Sequence, residues 1–166
     1  MLICSSGAVD FPSPFYSDYI TANLANEAIP GVKIARCYSF ISFGMPQLFV
    51  AGRFLVESPI VLHGDGAQIR SYMHMRDLCN WLYAILHFGK RGVPYAVGSE
   101  HRVSIRKLAE MIAKKRKVLF TQIDRPVTAA PSIYIPDTSR TREELGLRLT
   151  LKLESALHES LINPFE

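Results

Sequence analysis

The stretch Gly64-Asp65-Gly66-Ala67-Gln68-Ile69-Arg70-Ser71-Tyr72-Met73-His74-Met75-Arg76-Asp77 decides how the rest of the chain is read. It follows a β-branched strand over 59–62, turns on Gly-Asp-Gly, and enters a short strand carrying Arg70 and Tyr72 before a helix predicted to start near Asp77. Gly64 and Gly66 can take the positive φ that such a turn demands. Asp77 can cap the helix, whose Leu78, Trp81, Leu82, Ile85 and Leu86 recur at i, i+3, i+4, i+7 and i+8 until Gly89 stops it. In an alternating strand Arg70 shares a face with Tyr72 and His74. A guanidinium beside a phenol suits an anionic ligand such as a diphosphate. A surface salt bridge is the commoner fate of a lone arginine, so these residues alone leave both readings open.

Downstream, 93–98 reads as a short strand, and Ser104 caps a helix that turns Ile105, Leu108, Ala109 and Ile112 inward. A further strand is predicted over 118–120, then a Pro- and Ala-rich connection over 121–136. Asp137-Thr138-Ser139 opens a helix that Gly146 ends, and a last helix over 151–162 places Leu153, Ala156, Leu157 and Leu161 on one face. Upstream, Leu2-Ile3-Cys4 reads as a buried strand ending in Ser5-Ser6-Gly7, and a proline-punctuated loop follows at Phe11-Pro12-Ser13-Pro14-Phe15. A helix over 17–28 puts Tyr19, Asn23 and Glu27 on one side, and a second strand over 31–37 returns parallel to the first. A helix over 47–56 carries Arg53. Strand, helix and parallel strand in that order make the chain α/β.

Bulk properties narrow the function classes. At 166 residues with 48% hydrophobic content, the chain has room for one domain with a real core. The net charge of +4 raises nucleic acid as a partner, but the one dense cationic run, Lys114-Lys115-Arg116-Lys117, closes a helix where cations suit the dipole, and no aromatic residues interleave it. No nucleic-acid partner is expected. Cys4, Cys37 and Cys79 lie in apolar segments without metal spacing, which predicts reduced, buried thiols in a cytoplasmic protein and no metal site. Apolar runs are broken well short of ~18 residues, so no membrane span is predicted.

Gly-Asp-Gly, Arg70-Ser71-Tyr72, Asp77-Leu78, the helix bearing Trp81-Leu82, and Tyr95-Ala96-Val97-Gly98-Ser99 together resemble the sugar-nucleotide-binding half of the extended short-chain dehydrogenase/reductases. Within that superfamily the chain is most similar to the NAD-dependent epimerase/dehydratase group, which includes UDP-glucose 4-epimerases and dTDP-glucose 4,6-dehydratases. The resemblance covers nearly the whole chain and implies the C-terminal part of a Rossmann-type parallel sheet plus a small α+β substrate-binding lobe. Residues 1–58 would be the remnant of the catalytic half and 59–166 the sugar-nucleotide-binding lobe. It further implies that Ser6 takes the place of the catalytic Ser or Thr, although Asp10 stands where that motif's Tyr would be. Tyr19-Ile20-Thr21-Ala22-Asn23 matches the Tyr-x-x-x-Lys motif except at the lysine, and places Tyr19 and Asn23 as catalytic and cofactor-binding positions. Arg53, Arg70 and Tyr72 become the substrate-binding set, with a nucleoside diphosphate sugar as the ligand. Gly44 and Pro46, adjacent in the family, are separated by Met45.

The lysine matters because this chemistry needs a tyrosine whose pKa falls from about 10 towards neutrality. An ammonium ~4 to 5 Å away supplies on the order of 3 to 4 kcal/mol at an effective dielectric near 20. Asn23 has no charge to supply. No Gly-x-Gly-x-x-Gly or Gly-x-x-Gly-x-x-Gly run is present to meet a dinucleotide pyrophosphate, so NAD, the family's cofactor, is not expected to be held by this chain alone. Two readings remain. In one, sugar-nucleotide binding persists and chemistry requires a complementing NAD-binding half or an oligomer. In the other, the chain is a non-catalytic remnant or protein-interaction module.

Overall fold

In the computed structural model, which describes residues 1–123 and 131–162, the first strand, β1 (Leu2–Ser6), lies parallel to β2 (Lys33–Cys37). α1 (Ser17–Glu27) makes the crossover between them. β2 pairs in parallel with β7 (Pro94–Val97), giving a three-stranded sheet in the order β1-β2-β7, with β1 at its edge. This mixed α/β architecture with parallel strands is the one expected from the sequence.

The remaining strands form small ladders. β3 (Phe40–Ile41) pairs in parallel with β6 (Met73–His74), and β4 (Ile60–His63) with β9 (Phe120–Ile123). β5 (Ile69–Arg70) lies between β10 (Ile133–Tyr134), parallel to it, and β8 (Val103–Ser104), antiparallel. β9 and β10 both fall inside the span 118–136 that sequence pattern resolves as one strand and a connection. Of that connection, 124–130 lie outside the described residues.

Helices α2 (Val50–Val56) and α4 (Ile105–Arg116) pack on one apolar cluster. Phe54, Ile60, Leu108 and Ile112 have no exposed surface there, and α6 (Leu153–Glu159) adds Ala156 and Leu157. The second cluster is built on Trp81 and Ile85 of α3 (Met75–Phe88) against Tyr95 and Val97 of β7. Trp81 is core, as its spacing predicts, and its Nε1 donates to the Arg148 carbonyl at 3.4 Å. Leu86, at the end of the predicted stripe, is 42% exposed.

Several local expectations need correction. His74, not Asp77, caps α3: its Nδ1 accepts from the Arg76 amide at 3.3 Å. Asp77 sits in the first helical turn, buried, where its carboxylate accepts from the Thr150 amide and hydroxyl and from the Leu151 amide. It therefore ties the segment before α6 to the second core. The cysteines are not uniformly buried either: Cys4 and Cys79 are exposed, since β1 is an edge strand and Cys79 faces away from the α3 core stripe. Ser104 does cap α4, accepting from the Lys107 amide at 3.1 Å. Gly64 and Gly66 take φ of 87° and 62°, and α5 (Ser139–Leu145) ends at Gly146 in the left-handed region. No helix among the described residues is long and apolar enough to cross a membrane.

Candidate functional site

The C-terminal end of β1 and the start of α1 face β5 and β10 across a cavity of about 380 Å³. Ser6, Tyr19, Arg70 and Tyr72 all line it, from four separate places in the chain. Ser6 ends β1, and its hydroxyl accepts from the Ala8 amide at 3.1 Å, capping the short 3-10 turn Gly7–Val9. Tyr19 stands in the first turn of α1, 53% exposed at the rim. Tyr72 is buried in the wall. Burial pushes its phenol up to about 12, only partly offset by the nearby Arg70 charge. It therefore remains a protonated hydrogen-bond donor through the neutral range.

Arg70 is not a free cation. Its Nη1 donates to the carbonyls of Ile69 and Ser132 at 2.8 and 3.0 Å, and its Nη2 donates to Ser132 Oγ at 2.9 Å. These bonds fix the fork in orientation without neutralising it, because every acceptor is uncharged. The expected face of Arg70, Tyr72 and His74 is divided: β5 ends at Arg70, and His74 belongs to β6, where it caps α3.

Asn23 and Arg53 do not join this set. Asn23 is nine-tenths buried one turn below Tyr19, and its Nδ2 donates back to the Tyr19 carbonyl at 2.8 Å. Its amide is thereby turned along the helix rather than towards the cavity. Arg53 sits on α2 with its Nε 3.1 Å from Glu57 Oε1 and its guanidinium 5.6 Å from the Phe54 ring centroid. An i, i+4 partner of opposite charge on its own helix holds it there.

A charged cluster lies behind the cavity wall and reaches it through Ser5 and Tyr38. Glu27, the last residue of α1, accepts from Ser5 Oγ at 2.6 Å and from Arg36 Nε and Nη2 at 2.9 and 2.6 Å. Arg36 also bridges to Asp10, which accepts from the Tyr38 hydroxyl at 2.7 Å. Burial alone would raise the Glu27 carboxyl, but the bonds from Arg36 and Ser5 outweigh it and hold the group below its ordinary value. Burial and the Asp10 carboxylate together drive the Tyr38 phenol upward. Burial, reinforced by the neighbouring Cys4, pushes the Cys37 thiol up to about 12, so Cys37 is no nucleophile.

Two residues of the cavity wall, Tyr38 and Tyr134, are not among the sequence-predicted site residues. Their rings pack at 4.9 Å between centroids. The alternation Ile133-Tyr134-Ile135 inside the Pro- and Ala-rich span was the available signal for a strand there.

Among solved structures, a dTDP-glucose 4,6-dehydratase from Bacillus anthracis in complex with NAD superposes with a TM-score of 0.82 at 17% identity, covering 96% of this chain and 60% of that one. A dTDP-glucose 4,6-dehydratase from Streptomyces venezuelae gives 0.83 at 20% identity, over 96% of this chain and 58% of that one. These likenesses establish the fold. No family model matches the chain. In sequence, UDP-glucuronic acid decarboxylase 1 of Arabidopsis thaliana is 29% identical over 135 residues, 76% of this chain. The chain is thus similar to the dTDP-glucose 4,6-dehydratases in fold and to the UDP-glucuronic acid decarboxylase in sequence. The chain spans 30% of the length of that Arabidopsis relative and about 60% of the dehydratase structures.

The glycines that follow β1 and β7 do not form a cradle for the pyrophosphate of NAD. At the turn after β1, a Cβ on Gly7 would meet the Tyr38 ring at 2.5 Å, and after β7 a Cβ on Gly98 would lie 2.9 Å from both Pro136 and Tyr38. The close approaches these glycines permit are filled by the protein's own side chains. No glycine-rich run elsewhere in the sequence offers amides to a pyrophosphate.

Proposed function

We propose that this chain binds a nucleoside diphosphate sugar in the cavity between β1, α1, β5 and β10, and that binding, rather than self-sufficient catalysis, is its activity. Arg70 takes the diphosphate, its fork already oriented by Ser132, while Tyr72 supplies a protonated donor in the wall. Ser6 and Tyr19 face the sugar hydroxyls. The observation that carries this reading is the convergence of those four residues, from separate elements, on one cavity of nucleotide-sugar dimensions. Residues 1–58 then contribute the hydroxyl side of the site and 59–166 the anion side. Asn23 supports binding over turnover, because it brings no charge to Tyr19 and its amide is engaged with the Tyr19 carbonyl.

Chemistry on the bound sugar would require an NAD-binding half in addition to these residues, and β1, as a parallel edge strand, offers the backbone to receive one. A second copy of this chain could cover the same edge. Cytoplasmic residence fits three cysteines that remain unpaired. The alternative, an interaction module with no retained ligand, draws on that same edge strand and on Phe15 at 92% exposure beside α1.

Calorimetric titration with UDP-glucuronic acid, UDP-glucose, dTDP-glucose and, separately, NAD tests the proposal. It expects one sugar nucleotide to bind, Arg70→Ala to weaken that binding by about tenfold or more, and NAD to give no heat. A folded protein silent to every sugar nucleotide would refute it in favour of the interaction module.

A further inference from the structure

Tyr134 holds the position in this cavity that the substrate-binding set lacks. On β10 it is in register with Arg70 of β5, and the Arg70 guanidinium lies 5.9 Å from its ring centroid. Its ring packs on Tyr38 at 4.9 Å and against Phe11 at 5.2 Å, so the phenol is set on a rigid aromatic base. Tyr134 lines the same cavity as Arg70, Ser6 and Tyr19. Arg70 and Tyr134 are thus paired neighbours on a wall shared with Ser6 and Tyr19.

A cation with a phenol directly beside it matches the layout of a nucleoside diphosphate sugar. The pyranose is joined to the diphosphate through a single anomeric oxygen, so a diphosphate anchored on Arg70 places the sugar over the next group along. A phenol both donates and accepts, which suits a ring of hydroxyls. Burial raises the Tyr134 phenol above its ordinary value, keeping it protonated at neutral pH. Because the ring is already packed, little side-chain freedom is lost when ligand arrives.

We propose that Tyr134 reads the sugar: its phenol, beside Arg70 on the cavity wall, hydrogen-bonds a pyranose hydroxyl of the bound nucleoside diphosphate sugar. This inference rests on the binding function proposed above and assigns it a specificity-determining residue. Tyr134→Phe keeps the ring and its packing on Tyr38 and Phe11 while removing only the hydroxyl. The decisive contrast is between a sugar nucleotide and the same nucleotide without its sugar.

The experiment is calorimetric titration of the wild type, Tyr134→Phe and Arg70→Ala with two pairs, UDP-glucuronic acid against UDP and dTDP-glucose against dTDP, with a thermal melt of each protein. Tyr134→Phe should bind the sugar nucleotide about five- to tenfold more weakly and the bare diphosphate within about twofold of wild type, with an unchanged melting temperature. Arg70→Ala should weaken both members of a pair. Equal losses for sugar nucleotide and bare diphosphate in Tyr134→Phe, or no loss for either, would overturn the role of Tyr134 and leave the binding function standing. If the wild type binds neither pair, the binding function fails and the inference falls with it.

Discussion

Glu27→Ala tests whether the charged cluster behind the cavity wall holds α1 against the sheet. The Glu27 side chain is 8% exposed and that of Arg36 18%, and three bonds converge on the carboxylate from β1 and β2. Breaking a fully buried pair costs about 3 to 5 kcal/mol. Here the cost is smaller, because Arg36 keeps Asp10 as a partner. Removing an anion from a helix C-terminus also returns about 0.3 to 1 kcal/mol. The net expectation is about 2 kcal/mol, a fall of about 4 to 8 °C in Tm for a chain of this size. The pH dependence follows from the lowered folded-state pKa. The stabilisation is complete above the ordinary carboxylate value of 4.5 and is lost as pH falls through the lower folded-state value. Circular-dichroism melts of wild type and variant at about pH 7 and about pH 3.5 measure both effects. Equal melting temperatures at neutral pH, or a difference that does not narrow in acid, would refute the bracing role of this cluster.

Asp77→Ala should be costlier. It strands two backbone amides and the Thr150 hydroxyl around a site with 1% exposure, so about 3 kcal/mol is expected, measured as a shift in urea midpoint without a change in m-value. Arg116→Ala removes the guanidinium that binds the carbonyls of Phe54, Val56 and Glu57 at the end of α2, and should cost about 1 to 2 kcal/mol in the same assay. Arg116→Lys should recover little of it, since one ammonium cannot span three carbonyls.

Much of the fold was legible where side-chain period and cap chemistry act locally. The α4 stripe of Ile105, Leu108, Ala109 and Ile112 is buried as its spacing predicts, and Ser104 caps it. The parallel β1 and β2 follow from two apolar strands flanking one helix. Reading failed where a distant segment outcompeted a local rule. Asp77 looks like a helix cap, yet the amides of Thr150 and Leu151 claim its carboxylate and leave the cap to His74. Tyr134 was missed because the alternation Ile133-Tyr134-Ile135 is too short to stand out in a proline-rich span, and only its pairing with β5 makes it a strand.

The sequence by itself determined the α/β class, the family resemblance and the residue types placed near the predicted turn and helix starts, because these reside in motif order and in hydrophobic spacing. Which of those residues meet was decided only in three dimensions. Ser6, Tyr19, Arg70 and Tyr72 line one cavity, Arg53 is held on α2 by Glu57, and Asn23 is turned onto its own helix by the Tyr19 carbonyl. The physical reason is that a polar side chain takes whichever partner the folded backbone brings within about 3 Å, and that distance has no expression in the linear order of residues.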